Sequence, residues 1–397
     1  MPVQPVIVSA RRTPIGKFMG GLSQVPSPQL GAFVLQAMFA DHPRIKGAVD
    51  ECIMGCVLQA GLGQNPARQV GLKAGLPATL SAKTINKVCG SGLEAVMMAA
   101  QSIKAGDNAC VIAGGIESMT RAPHFASLRE GVKFGDGTLR DHMQFDGLTC
   151  PFEGWAMGCA ADHTASKNGI SREDQDRFAA QSHQRAARAT KEGWFKGEIV
   201  ALTGEQVGNR KVPGPEGGVS SDEGVRAEST AEGLAKLRPA FGKDGTVTAG
   251  NASQISDGAA AVCVMSAGKA EELGVRPMAR VLSYATSGVA PKDIFEAPIT
   301  GVREAASRAG LRVEDIDLFE LNEAFAAQLL CNIKALGIPE SKVNIAGGGV
   351  ALGHPIGASG ARVLVTLLHQ MKRTGARRGL VGLCLGGGNS VAMVVET

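Results

Sequence analysis

Two cysteines, a histidine and an asparagine sit at strand-to-helix turns or glycine-rich bends of this 397-residue chain. Cys89 lies in the run Asn86-Lys87-Val88-Cys89-Gly90-Ser91-Gly92. Leu93, Val96, Met97, Ala100 and Ile103 follow on one helical face, so a helix begins just after Cys89. The free N–H groups and positive dipole end of that helix would favour a thiolate. The glycines let a substrate approach the backbone closely. A cysteine is ordinarily a small buried hydrophobe, and this motif alone does not decide between nucleophile and packing residue.

His354 stands in the glycine-rich run Gly347 to Gly357. An exposed loop histidine is the plain alternative. A site histidine, titrating near neutrality and able to exchange a proton with a thiol, fits the setting better. Cys384 ends an apolar run and precedes Gly386-Gly387-Gly388. It reads either as a buried strand-end thiol or as part of a site whose glycines expose backbone N–H groups to an oxyanion. A phosphate-binding loop is a rival, but the GxxxxGK[ST] pattern is missing. Asn322 opens Asn322-Glu323-Ala324-Phe325, where a strand hands over to a helix. Taken alone it is an N-cap, although its amide could hold a water or a ligand oxygen.

The elements that must position these residues alternate in α/β fashion. Residues 6–10, 53–57 and 109–113 read as strands, the last ending at Gly114-Gly115. Residues 28–40 read as a helix, as do 65–74 with Pro66 in the first turn. The character then changes from 121 to 254, with more charge, more turns and a helix from Ser171 to Lys191. That helix opens on a capping-box variant. Residues 209–223 read as a loop, and the whole region as an excursion from the core. Strands at 259–265, 316–321 and 380–385, with helices at 324–335 and 361–371, restore the α/β pattern. Both halves run from a glycine-rich bend through a helix and a strand to a glycine pair or triplet, which suggests a duplicated unit. In such a sheet the strand-to-helix turns gather at one edge, where ligands bind.

Composition narrows the class. The net charge of +4 is mildly basic, and no Lys/Arg run interleaved with aromatics argues for nucleic acid. No apolar run is long enough for a membrane span. The nine cysteines are odd in number, lack a CxxC and fall in apolar segments, as free thiols in a reducing compartment do. Cys52 and Cys56 read as packing residues, because no His/Cys cluster completes a zinc site. The default location is the cytoplasm.

At this point the chain resembles the thiolases over essentially its full length. The resemblance rests on Asn86 to Gly92, Asn322 to Phe325, Gly347 to Gly360 and Cys384 to Gly388, in that order. Residues 64–69, 115–119 and 248–253 support it. It implies the thiolase fold, a duplicated five-layered αβαβα core with an inserted loop domain. The expected division is 1–120 plus 255–277, a loop domain over 121–254, and 278–397. The implied activity is reversible Claisen condensation of acetyl-CoA, or thiolysis of 3-ketoacyl-CoA by free CoA, by ping-pong chemistry in fatty acid metabolism. By resemblance, Cys89 is acylated, His354 takes its proton and Cys384 removes the α-proton. Asn322 would hold a water beside His354 at one oxyanion site. The N–H groups of Cys89 and Gly386 would form the other.

The same resemblance assigns coenzyme A to Met157, Arg226, Ala240, Phe241, Ser253, Ala324 and Phe325. Arg226 would meet the adenosine phosphates or the adenine, and Ser253 the pantetheine amide. No cofactor or metal is implied, since coenzyme A thioesters are substrates. A homotetramer, built as a dimer of dimers, is the implied assembly. Departures from the family pattern are Ala156 where acetoacetyl-specific members often have His, Gly233 where some have Ser, and Gln254 where Gly is common. They leave acyl-chain length open, and residues 141–151 are expected to shape that pocket. A decarboxylating condensing enzyme would carry His at position 384. A non-catalytic acyl-CoA carrier would have lost a nucleophile or base. A cysteine hydrolase with Cys89, His354 and Asn322 would leave Cys384 without a role.

Overall fold

A computed structural model describes residues 3–129, 131–209 and 212–397; Arg210 and Lys211, within the expected 209–223 loop, lie outside them. Short apolar runs become strands buried on both faces. Cys110–Ser118 is buried at every position and lies between two layers of helices. Ile112 faces the outer layer with Leu30 and Met38 of the Ser27–Asp41 helix. Val111 and Ala113 face inward, toward Leu93 and Val96 of the Ser91–Ala105 helix.

The inner layer is made by two helices, Ser91–Ala105 and Ile356–Thr374, packed on each other between the two halves. Fifteen residues of the second are buried, so it is enclosed nearly all round, with Arg362, Thr366 and Gln370 buried among its apolar residues. Leu364 and Leu367 are fully buried there, each stabilising the fold by roughly 1.5–3 kcal/mol. Gly115 lets the halves meet: a Cβ on it would lie 2.0 Å from the carbonyl of Gly357. The other outer layer is Ala297–Arg308 with Ala326–Leu336, packed on the second half. The architecture is α/β with αβαβα layering, the arrangement that the resemblance implies.

The duplication is visible in strand pairing. In the first half Glu51–Gly55 pairs in parallel with Cys110–Ser118. Ser256–Ser266 and then Pro5–Arg12 follow antiparallel. In the second, Leu318–Leu321 pairs in parallel with Arg378–Leu385. Asn389–Glu396 and then Ala279–Gly288 follow antiparallel. The halves join through Val6↔Arg280 and Ile7↔Ala279 into one ten-stranded sheet. Between Cys110–Ser118 and Ser256–Ser266 the chain makes its long excursion. Between the equivalent strands of the second half only Gly386-Gly387-Gly388 intervenes.

Several expected boundaries move. The strand expected to end at Gly114-Gly115 continues to Ser118, because both glycines pair across the antiparallel neighbour. The helix expected over 361–371 spans Ile356–Thr374, starting directly after Pro355. The helix expected over 324–335 spans Ala326–Leu336, and its N-cap is Phe325, not Asn322. The C-terminal strand Asn389–Glu396, buried along seven of its eight residues, was not anticipated.

Candidate active site

The turn that carries Cys89 is strained. Val88 has φ +47, a left-handed conformation that a β-branched side chain rarely adopts. Local bonds hold it there. Ser91 Oγ donates to the carbonyl of Val88 at 2.7 Å and accepts from Lys87 N–H at 2.8 Å. Asn86 Oδ1 accepts from Val88 N–H at 3.0 Å. Gly90 then passes so close to the second half that a Cβ would lie 2.2 Å from Leu385 Cδ2. The Cys89 turn is thereby pressed against the Cys384 strand end.

One cavity of about 600 Å³ opens on this junction. Cys89, His354, Cys384 and Gly386 line it together. Met157, Arg226, Ala240, Phe241, Ser253, Ala324 and Phe325 line it as well. Asn322 does not reach the lining; it is fully buried behind His354. Its Nδ2 stands 3.4 Å from Nε2 of the imidazole, and its Oδ1 has no protein partner.

The protonation states differ from the sequence expectation. Cys89 keeps part of its surface open to the cavity. Apolar walls around it, with Met119, Leu148 and Ile356 among them, dominate over the helix start. Burial pushes the Cys89 thiol up to about 12, against the pull of the Gly386 and Cys89 N–H groups on its sulfur, and the charge of Glu117 adds to the rise. A resting thiolate is therefore not favoured. Burial, and secondarily the charge of Arg362, lowers His354 to about 3, well below the near-neutral value expected from its residue type. Burial also raises the Cys384 thiol well above its ordinary value, with Cys89 nearby adding to the effect. Thiols and imidazole are all neutral near pH 7.

The tautomer of His354 follows from its neighbours. Ser359 Oγ donates its only proton to the carbonyl of Pro355 at 2.8 Å. It must then accept from His354 Nδ1–H, 2.6 Å away. Nε2 is left as the lone-pair nitrogen, able to take a proton. The two N–H groups of Cys89 and Gly386 converge on the sulfur, an arrangement that suits a tetrahedral oxyanion formed there.

Residues 141–151 contain a π-helical turn, Met143–Gly147, a distortion frequent at functional sites. Gln144, Gly147 and Leu148 line the cavity. Sequence reasoning missed Lys17, Phe18, Met119 and Phe295, which also line it, and Ser359. It passed over Glu117 as part of a supporting stretch. That fully buried carboxylate accepts from the N–H groups of Val57, Leu58 and Gly357 at 3.2, 3.2 and 2.8 Å. An acidic residue inside an otherwise apolar strand was its only signal. Among the described residues no cluster of His, Cys, Asp or Glu could hold a metal ion.

Residues 5–268 match the family model described as thiolase, N-terminal domain, and 275–397 that described as thiolase, C-terminal domain. The chain is 53% identical over 395 residues to an acetyl-CoA acetyltransferase of Chromobacterium violaceum, covering 99% of this chain and all of that one. It is 50% identical to an acetyl-CoA acetyltransferase of Escherichia coli, over 98% of both chains. The crystal structure of the Bacillus anthracis acetyl-CoA acetyltransferase superposes with a TM-score of 0.95 at 41% identity, covering 100% of this chain and 99% of that chain.

Proposed function

The chain belongs to the thiolase family, and we propose that it is an acetyl-CoA acetyltransferase working through an acyl-Cys89 intermediate. It is an enzyme that condenses acetyl-CoA or, in reverse, cleaves a 3-ketoacyl-CoA with free CoA. The observation that carries the residue roles is the convergence of Cys89, His354, Cys384 and the Gly386 N–H on one cavity.

In the first half-reaction His354 Nε2 takes the Cys89 proton as sulfur attacks the thioester carbonyl. The oxyanion meets the N–H groups of Cys89 and Gly386. The C–S bond to coenzyme A breaks, and His354 returns the proton to the departing sulfur. In the second, Cys384 yields its proton to His354. The Cys384 thiolate takes an α-proton from a second acetyl-CoA, and the imidazolium faces the enolate oxygen. Asn322 Oδ1, buried without a protein partner, is suited to hold a water at that oxygen. The enolate carbon then attacks the acetyl carbonyl and releases Cys89, whose sulfur regains the proton.

The excursion over 121–254 supplies Met157, Arg226, Ala240, Phe241 and Ser253 for coenzyme A, with Ala324 and Phe325 completing the channel. The preferred acyl unit is acetyl, as the names of the relatives suggest. We place the protein in the cytoplasm, in fatty acid metabolism, as a homotetramer; free cysteines support a reducing compartment. No described helix is long and apolar enough to cross a membrane.

The test is initial rates of thiolysis over a 3-ketoacyl-CoA chain-length series, with acetyl-CoA condensation measured beside it. Digestion after incubation with acetyl-CoA should find the added acetyl mass on Cys89. Label on Cys384 alone would overturn the assignment, and faster turnover of long chains than of acetoacetyl-CoA would overturn the acetyl preference.

A further inference from the structure

Gln254 lies on the segment that leads from the excursion into the Ser256–Ser266 strand, and it lines the cavity. Its Nε2 donates to three carbonyls: Gly224 at 2.9 Å, Val350 at 3.0 Å and Ala351 at 3.1 Å. Three acceptors around one atom identify the amide nitrogen, with one of its two hydrogens shared. Val350 and Ala351 belong to the short Gly349–Leu352 helix, too short to bond its own last carbonyls. Gln254 caps them from the side. Its backbone holds the other end of the same turn, because the Gln254 carbonyl accepts from His354 N–H at 3.0 Å. The loop that delivers the imidazole is thus gripped twice by one residue.

The third carbonyl belongs to a different part of the chain. Gly224 stands two residues before Arg226 and presses on the amide so closely that a Cβ there would lie 2.8 Å from Nε2. The Arg226 backbone is fixed in turn, its N–H donating to His183 Nδ1 at 3.1 Å. A shift of the Arg226 segment therefore pulls on the amide that caps the His354 turn.

We propose that Gln254 is a positioning residue that ties the seating of coenzyme A at Arg226 to the alignment of His354. The inference rests on the thiolase reading of the cavity. It makes the side-chain amide, and not its bulk, the working part.

Gln254→Met keeps length and volume and removes the donors, and Gln254→Glu keeps the shape but turns donors into acceptors. The measurements are calorimetric binding of CoA, the single-turnover rate of Cys89 acetylation by acetyl-CoA, and melting temperature. Loss of one or two such bonds should weaken CoA binding and slow acetylation, each about threefold to tenfold, in Q254M. Q254E should lose at least as much, and it decides the matter alone if Q254M does not fold. In an Arg226→Ala background the further CoA loss caused by Q254M should shrink to within about twofold, because coupled residues are non-additive. Wild-type affinity and rate in the variants would overturn the proposal, as would a lowered melting temperature alone. Equal CoA losses on both backgrounds would overturn the coupling. A wild-type protein that neither binds CoA nor becomes acetylated would sink the thiolase reading and the proposal with it, whatever the variants do.

Discussion

Ser359 fixes the tautomer of His354. Its hydroxyl spends its proton on the carbonyl of Pro355, so the imidazole must donate from Nδ1 across 2.6 Å and present Nε2 as the base. The serine and the histidine belong to one loop-to-helix junction, so the helix that forms the central layer also orients the base.

Ser359→Ala should free the ring to adopt either tautomer and leave a buried Nδ1–H without its acceptor. A loss of this kind costs about 1–3 kcal/mol, so acetylation of Cys89 should slow roughly tenfold to a hundredfold. Nitrogen-15 spectra of histidine-labelled wild type should show the proton on Nδ1. A wild-type spectrum with the proton on Nε2 would overturn the assignment.

The pH profile should lack a histidine limb. Because His354 is lowered to about 3, it stays neutral and basic throughout pH 5–8, and acidification over that range does not protonate it. The single-turnover acetylation rate should therefore show no fall centred near pH 6.5, the value an exposed histidine would impose. His354→Ala should reduce that rate on the order of 10²-fold or more. A bend near 6.5 that disappears in the variant would show that the imidazole is solvated and titrates normally.

Glu117 offers a stability test with a definite sign. Burial raises its carboxyl from 4.5 to about 7, against the N–H groups of Gly357, Leu58 and Val57. Between those values the native chain binds more protons than the unfolded one, so its stability falls as pH rises through that window. At about 1.4 kcal/mol per unit the loss is about 3 kcal/mol. Glu117→Gln cannot ionise and should lack this component. Denaturant unfolding at pH 4.5 and pH 7.5 should show the wild type losing ground to the variant as pH rises. A constant difference between the two proteins would mean that Glu117 titrates alike in the folded and unfolded chain.

The parts legible in the sequence were those that advertise themselves locally. Glycine runs betrayed the bends at Cys89, His354 and Cys384, and apolar runs betrayed strands at 109–113 and 380–385, although the observed strands extend beyond both. What stayed hidden depends on distant chain. Glu117 works by accepting from Gly357, and Gln254 by reaching Gly224 and Val350. No local pattern joins those positions. The pull against a thiolate at Cys89 was hidden for the same reason: a helix start was visible, whereas the apolar walls and the charge of Glu117, which push the thiol up, come from other segments. Asn322 looked like a cap because strand meets helix there, but the helix waits until Ala326. The left-handed Val88 carries no sequence signal, since valine is among the residues least suited to that conformation.

Cys384→Ala should separate the two half-reactions. Acyl transfer from acetyl-CoA uses Cys89, His354 and two backbone N–H groups, and no carbanion forms, so the variant should still be acetylated on Cys89. Condensation requires an α-proton to leave carbon, and the proposed base is then missing. A positioned general base contributes about 10²–10⁴-fold, far more than the change in packing at one strand end would mimic. Acylation followed by mass spectrometry, paired with exchange of acetyl α-protons in deuterated solvent, reads both steps on one variant. Exchange and condensation should be lost together while acetylation persists. Undiminished exchange would make Cys384 a buried strand-end thiol and put the base elsewhere. Loss of acetylation as well would mean that alanine at 384 disturbs the Cys89 turn through the close packing of Gly90 on Leu385, and a Cys384→Ser variant that restored acetylation but not exchange would then return the α-carbon step to the Cys384 sulfur.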